Sequence, residues 1–119
     1  MTRTDHTSIT RHIALIAKFY GVQFHDVTGE SKAQRFVRPR KAVWLDLICE
    51  EIGRKADGTP VYRSLPAIAR HFSDRDHTTV LYGVRSLSTE LYGTAPKAPV
   101  AEIRKAVQAH MDSQTQAAA

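Results

Sequence analysis

The feature that most constrains this chain is a polar cluster at residues 75–81 that opens a strongly periodic helix. Its residues are Arg75-Asp76-His77-Thr78-Thr79-Val80-Leu81, and apolar side chains recur after it at Val84, Leu87 and Leu91. This spacing is typical of one face of an α-helix. Asp76 is a good N-cap because its carboxylate can accept hydrogen bonds from free N–H groups in the first turn. The pattern predicts a helix to about Tyr92, with Gly93 after it, a buried flank and a polar tip.

A shorter helix is predicted immediately before this one. Ser64 can cap it, and Leu65, Ile68, Ala69 and Phe72 follow at helical spacing. Residues 73–75 would then turn the chain into the long helix. A short helix, a tight turn and a longer helix with a polar N-terminal tip are the parts of a helix-turn-helix. Such a motif presents the tip of its second helix to the major groove of DNA.

The remaining segments are also predicted to be mainly helical. Apolar spacing indicates helices over residues 8–20, 39–52 and 100–111, and a single helical turn within residues 22–30. Residues 53–63 are predicted as a loop, because Asp57-Gly58 is a turn signal and β signals are weak throughout. The predicted fold class is therefore all-α, with five or six helices.

The 119-residue length is enough for one compact domain, which we place at residues 8–93. A flexible polar arm is predicted at residues 1–7, a linker and last helix at 94–112, and a disordered tail at 113–119. No apolar run reaches membrane-spanning length, and the N-terminus has no apolar signal core. We therefore expect a cytoplasmic protein without a membrane partner, and we expect a monomer because no heptad pattern is present.

Residues 31–41 are strongly basic. They contain no acid and five cations, Lys32, Arg35, Arg38, Arg40 and Lys41. Pro39 fits the first turn of the helix that follows. The net charge of +5 and the pI near 9.7 favour an anionic partner without identifying it. The segment predicts phosphate binding. Phe36, Trp44 and Tyr82 could stack on bases, but helical spacing favours a core position, to which Trp44 is assigned.

Catalytic and metal sites are not indicated. Cys49 is the single cysteine, so an intramolecular disulfide and a cysteine-based zinc site are excluded, and a buried structural thiol is predicted. The six histidines form no His-x-x-x-His pair, and no serine lies in a Gly-x-Ser-x-Gly setting. The sequence also has no phosphate loop. We expect no enzyme activity, cofactor, metal or nucleotide.

Three segments together resemble one known family. The cluster at 75–81 closely resembles the signature of the C-terminal DNA-binding domain, domain IV, of the bacterial replication initiator DnaA. The segment Ser64-Leu65-Pro66-Ala67-Ile68 resembles the first helix of that family's motif, and Val37-Arg38-Pro39-Arg40 resembles its basic loop. The likeness runs from about residue 8 to residue 91. It implies a DnaA domain IV-like fold, similar also to the Trp repressor type.

The resemblance implies double-stranded DNA as the partner, because the family's domain recognises DnaA boxes. It places a first set of residues in the major groove, namely Arg75, Asp76, His77, Thr78 and Thr79. It places a second set in the basic loop, minor groove and phosphate contacts, namely Lys32, Arg35, Arg38, Arg40 and Lys41. It assigns support of the motif to Ser64, Leu65, Pro66 and Ile68.

The chemistry of the major-groove set suits these roles. An aspartate accepts from cytosine N4, a histidine donates to guanine or thymine, and a threonine methyl packs on the thymine methyl. Arg75 and Thr79, at the flank, suit phosphate oxygens. Plain alternatives stay open: Asp76 can be only a cap, and His77 only an exposed helix residue.

Two departures from the family concern its DNA contacts. Lys32 stands where the family has its minor-groove arginine and lacks the planar guanidinium, so that Arg35 could take this role. The segment 53–63 is longer than the family's usual connection and could add a contact surface.

Three functional hypotheses follow. The first is a transcription regulator at DnaA-box-like sites, since free-standing domains of this family include activators of phage-like and gene transfer agent genes. Its last helix and tail would then bind a second activator protein or RNA polymerase. The second is a phage- or plasmid-type replication initiation component, or a competitor at origin sites. The third is a ligand-responsive repressor, although no converging polar pocket is visible in the sequence.

Overall fold

The computed structural model describes residues 3–73 and 75–118. Within them, six helices and one small antiparallel hairpin follow one another along the chain. In order these are α1 (Arg3–Tyr20), α2 (Phe24–Thr28), α3 (Gln34–Cys49), β1 (Glu51–Arg54), β2 (Pro60–Tyr62), α4 (Leu65–Ala69), α5 (His77–Tyr92) and α6 (Val100–Ala118). The predicted all-α class is confirmed. No helix in the described part of the chain has the length and apolar content needed to span a membrane.

Helix α3 lies at the centre of the fold and contacts each of the other five helices. Its buried face includes Val43, Trp44, Leu47 and Ile48. The surrounding helices contribute fully buried side chains to the same core, among them Ile9, Ile13, Ile68, Val80, Val84 and Ile103. The predicted core position of Trp44 is confirmed, because only 3% of this residue is exposed.

Helix α5 packs closely on α3 at Gly83. A Cβ atom at this position would lie 2.6 Å from Cε3 and Cζ3 of the Trp44 indole. Glycine therefore sets the distance between the two helices. At its other end α5 stops at Gly93, whose φ of 71° is left-handed and whose N–H donates to the Thr89 carbonyl at 3.1 Å. This is the predicted helix end.

Replacing Gly83 by alanine is expected to destabilise the fold by about 1–2 kcal/mol, because overpacking a filled core outweighs the gain in helix propensity. Urea unfolding, followed by the fluorescence of the single tryptophan, measures this change. Gly53→Ala is the matched control, since a Cβ there meets no atom within 4 Å. Equal stability of the two variants would contradict the close packing.

The loop prediction for residues 53–63 is wrong in part. Residues 51–54 and 60–62 form an antiparallel hairpin that pairs Gly53 with Val61 and Arg54 with Pro60. The predicted turn at Asp57-Gly58 is present, with a φ of +86° at Gly58. Helix α3 accordingly ends at Cys49 rather than at residue 52. Strands of four and three residues are too short for an alternating apolar pattern to identify them.

Both terminal predictions are corrected where the structure describes them. Residues 3–7, predicted as an arm, belong to α1, and residues 113–118, predicted as a disordered tail, belong to α6. Residues 1, 2 and 119 lie outside the described residues. Each residue added to an existing helix gains a hydrogen bond while only that residue is ordered, so extending a helix is easier than starting one. The alanines and glutamines after residue 113 are also good helix formers.

Candidate nucleic-acid interface

The tip of α5 is built around the Asp76 cap. The Asp76 carboxylate accepts a hydrogen bond from the Thr79 backbone N–H at 2.9 Å, as predicted for an N-cap. Hydrogen bonds from the Thr79 backbone and side chain, with a smaller contribution from the nearby His77, hold the pKa of this carboxyl below its usual range. The tip therefore presents a fixed negative charge beside the positive end of a long helix.

The polar tip is open to solvent while the helix behind it is buried. His77 and Thr79 are exposed, Thr78 is half-buried, and Val80 is fully buried. Arg75 is half-buried and donates to the Ser73 carbonyl at 2.5 Å. The side chains of this short stretch are therefore accessible to a binding partner, while the buried flank of α5 keeps the helix that carries them in place.

Helix α4 supports this tip as the first helix of the motif. The Ser64 hydroxyl accepts from the Ala67 N–H at 3.2 Å, which confirms the predicted cap. Leu65 is half-buried, Pro66 lies in the first turn, and Ile68 is fully buried in the core. The helix ends at Ala69, three residues before the predicted end at Phe72.

The turn between α4 and α5 is held from two sides. The Phe72 ring packs edge-on against the Trp44 indole with centroids 5.5 Å apart. The Ser73 N–H donates to the Thr28 carbonyl of α2 at 2.8 Å. The orientation of α5 relative to α4 is therefore fixed by the core and by α2.

The basic segment is placed differently from the prediction. Helix α3 begins at Gln34, so Pro39 lies inside the helix and four of the five cations are helical; only Lys32 lies in a loop. Arg35 and Arg38, predicted to precede the helix, thus lie within α3, whereas Arg40 and Lys41 already fell in the helix predicted over residues 39–52. As the sixth residue of α3, Pro39 has no N–H to donate to the Arg35 carbonyl, so the helix lacks that one hydrogen bond.

Arg40 is buried rather than displayed. Only 3% of it is exposed, and its guanidinium donates to three backbone carbonyls, those of Val27 at 2.7 Å, Ser31 at 2.9 Å and Asp26 at 2.8 Å. Burial, and to a lesser degree the charge of Arg75, lowers the pKa of Arg40 to about 10. The predicted phosphate contact is therefore corrected to a structural role: Arg40 ties the loop that carries Lys32 to α3.

The other helical cations have partners at the surface. Arg38 forms an ion pair with Glu90 of α5, and this hydrogen bond raises the pKa of Arg38. Lys41 Nζ donates to the Ser86 hydroxyl of α5 at 3.2 Å. The Arg35 guanidinium lies over the Phe36 ring, 4.7 Å from its centroid. Two contacts thus join the basic face of α3 to α5.

A groove of about 800 Å³ between α3 and α5 brings the two predicted sets together. Its lining includes Lys32, Lys41, Arg75 and Thr79, which come from distant parts of the sequence. We call it the cationic groove. The tip residues Asp76, His77 and Thr78 lie in the sequence between two residues that line the groove, Arg75 and Thr79.

Three further polar residues line the cationic groove and were not assigned to it from the sequence, namely Glu30, Tyr82 and Ser86. Tyr82 is 64% exposed and Ser86 also lines the groove, so Tyr82 is not a core residue. Thr79, Tyr82 and Ser86 are spaced three and four residues apart and share one helix face. This spacing in the sequence could have shown that these residues share a face with Thr79. Among residues 3–73 and 75–118, no cluster of metal-ligating side chains is present.

Comparisons with known proteins point to one family. The family model described as bacterial DnaA protein helix-turn-helix matches residues 9–87. The chain is 34% identical over 79 residues to the chromosomal replication initiator protein DnaA of Cereibacter sphaeroides, covering 66% of this chain and 15% of that protein. It is 32% identical over 85 residues to the protein of that name from Neisseria meningitidis, covering 70% and 14%.

A third relative, of the same name, from Ruegeria pomeroyi, is 31% identical over 72 residues, covering 60% of this chain and 13% of the relative. The chain thus spans 13–15% of the length of these curated relatives. No solved structure matches the chain.

Proposed function

The chain belongs to the family of bacterial DnaA helix-turn-helix domains, and from this membership we propose that it binds duplex DNA at DnaA-box-like sites and regulates transcription. The observation that carries the proposal is the exposed polar tip of α5 beside the cationic groove. Bases are read by side chains that reach the groove edges, whereas cations position the protein on phosphates. Both kinds of side chain lie here on adjoining surfaces.

In this proposal the α5 tip enters the major groove. Asp76, His77 and Thr78 contact bases, with the carboxylate suited to cytosine N4 and the imidazole to guanine or thymine. The Asp76 cap does not exclude a base contact, because a carboxylate has two oxygens that each accept more than one hydrogen bond. Arg75 and Thr79 bind phosphates at the flank.

The cationic groove then follows the DNA backbone toward the minor groove. Lys32 and Lys41 supply the charge, and Arg35 is placed on the first turn of α3 where it can assist. Arg38 joins them only when a phosphate replaces Glu90, because the two side chains are paired. Tyr82 adds an exposed hydroxyl to this path.

Regulation of transcription is one of two candidate roles for the DNA binding. A module that occupies a promoter can recruit or block other proteins, and the exposed second half of α6 offers surface for a second activator or for RNA polymerase. The other candidate is a replication role, favoured by the printed names of the relatives, which are chromosomal replication initiator proteins. Either role would place the protein on the nucleoid.

Genome-wide occupancy of the protein in its host separates the two candidates. Occupancy at promoters, with altered transcription of the neighbouring genes on deletion, supports regulation. Occupancy confined to origin-like clusters, with changed timing of replication, overturns regulation and supports the replication role. Equal binding of promoter fragments and random duplex at physiological salt would overturn both.

Lys41→Ala is expected to weaken binding to all duplex sequences alike. The salt dependence of binding should lose about 0.9 from its slope, the contribution of one phosphate contact. Fluorescence anisotropy of labelled duplex, titrated at several salt concentrations, gives this slope. Lys97→Ala is the control, because Lys97 is exposed beyond the C-terminal end of α5 and far along the chain from the cationic groove. Unchanged slopes in both variants would place Lys41 off the DNA.

A further inference from the structure

An acidic residue, Glu90, continues the α5 wall of the cationic groove. Thr79, Gly83 and Ser86 line the groove from this helix. Glu90 comes four residues after Ser86, so it lies one turn further along the same side of α5. Its carboxylate is paired with Arg38 of α3, and the side chains of Glu90 and Arg38 are 56% and 44% exposed. The pair is therefore accessible to a ligand that follows the groove.

The Arg38–Glu90 pair belongs to the same line of contacts between α3 and α5 as a groove cation. Lys41 lines the groove and donates to the Ser86 hydroxyl at 3.2 Å. Lys41 follows Arg38 by three residues, whereas its partner Ser86 precedes Glu90 by four, so the two helices pass each other in opposite directions. Arg38 therefore lies on the side of α3 that faces α5, one turn from Lys41.

Glu90 and a DNA phosphate compete for the same guanidinium. Arginine binds carboxylate and phosphate oxygens with the same donor geometry. Hydrogen bonds to Glu90 and, to a lesser degree, to Tyr20 raise the pKa of Arg38, which therefore stays charged. An exposed ion pair contributes little in water, so a phosphate can replace the carboxylate. The carboxylate nevertheless stays on α5 nearby and repels the phosphate.

We infer that Glu90 limits the affinity of the chain for DNA by withholding Arg38 from the phosphates. The inference rests on the proposed function, in which the cationic groove follows the DNA backbone. Phosphate contacts contribute alike at every sequence. Withholding one of them should therefore weaken binding to random and preferred duplex by the same factor, and leave the ratio of the two affinities unchanged.

Glu90→Gln is expected to tighten binding to duplex DNA about 3- to 10-fold at about 0.1 M salt, because it keeps the side-chain size and removes the competing charge. Anisotropy titrations with random and with preferred duplex measure this change, which should be equal on the two. Glu102→Gln is the control, since it changes the net charge equally at an exposed residue of α6 that does not line the groove. It should leave both affinities nearly unchanged.

The Arg38→Gln background shows whether Glu90 acts through Arg38. Glu30 also lines the cationic groove, so a gain on losing one acid could reflect overall charge alone. If Glu90 acts by withholding Arg38, the double variant Arg38→Gln, Glu90→Gln should bind no more tightly than Arg38→Gln. A gain as large in this background as in the wild type would overturn the inference, and so would an unchanged affinity in Glu90→Gln itself.

The same titrations separate this inference from the proposed function. A wild-type chain that binds no duplex would overturn both. Wild-type binding that Glu90→Gln does not tighten would overturn the inference alone, since the tip and the groove cations would still bind DNA. Circular dichroism of each variant verifies its fold, and surface substitutions of this kind usually change stability little.

Discussion

Arg40→Met is expected to lower the free energy of unfolding by about 3–5 kcal/mol, a large part of the stability of a small domain. The change removes a guanidinium that donates to the carbonyls of Asp26, Val27 and Ser31. The Val27 carbonyl is then left without a donor in the buried part of the fold, and the half-buried carbonyls of Asp26 and Ser31 lose a charged one. Hydrogen bonds from charged donors contribute more than neutral ones, and unsatisfied buried acceptors are costly.

Urea unfolding measures this effect, with two further variants beside it. Arg40→Lys should lie between the wild type and Arg40→Met, because an ammonium keeps the charge but cannot serve three carbonyls in the geometry of a guanidinium. Arg35→Met is the matched control on the same helix and should change stability by less than about 0.5 kcal/mol, as surface substitutions usually do. If Arg40→Met were as stable as Arg35→Met and lost only DNA affinity, Arg40 would be a DNA contact instead.

His77→Ala is expected to weaken binding to the preferred duplex by about 1–3 kcal/mol, or roughly 5- to 150-fold. The side chain is exposed at the first position of α5, so alanine there removes the proposed base contact without disturbing the core. Affinity for random duplex should change little, since that affinity comes mainly from phosphates. The ratio of the two affinities should therefore fall with the specific affinity.

Anisotropy titrations of preferred and random duplex give this ratio. His110→Ala is the control, because His110 lies on α6, where its ring packs against Tyr92 at the C-terminal end of α5. It should leave both affinities unchanged. An equal loss on the two duplexes in His77→Ala would mean that His77 contacts the backbone and reads no base.

The parts of the site that depend on local chemistry were predictable from the sequence. The caps at Ser64 and Asp76 and the stop at Gly93 follow from hydrogen bonding and backbone geometry within one turn of helix. The buried flank of α5 follows from apolar spacing. The DNA contacts assigned to the tip by family resemblance stay predictions.

The parts that depend on tertiary packing were not predictable. Arg40 stands in an acid-free basic run, and nothing in that run distinguishes it from its exposed neighbours; its burial follows from the position of the α2–α3 loop. The pairing of Arg38 with Glu90 also requires knowledge of how α3 meets α5. Gly83, which lines the cationic groove, likewise reveals its role only in the structure, where it lets α5 approach Trp44 of α3 closely.

Methylation interference on a selected duplex site tests the central claim, that the α5 tip reads bases in the major groove while the cationic groove follows the backbone. Dimethyl sulfate modifies guanine N7 in the major groove and adenine N3 in the minor groove, so a single experiment reports on both. We expect selection from random duplexes to yield one preferred site. Within it, N7 methylation of particular guanines should block the wild type and lose that effect in His77→Ala. No enriched site, or interference from adenine N3 alone, would contradict the account.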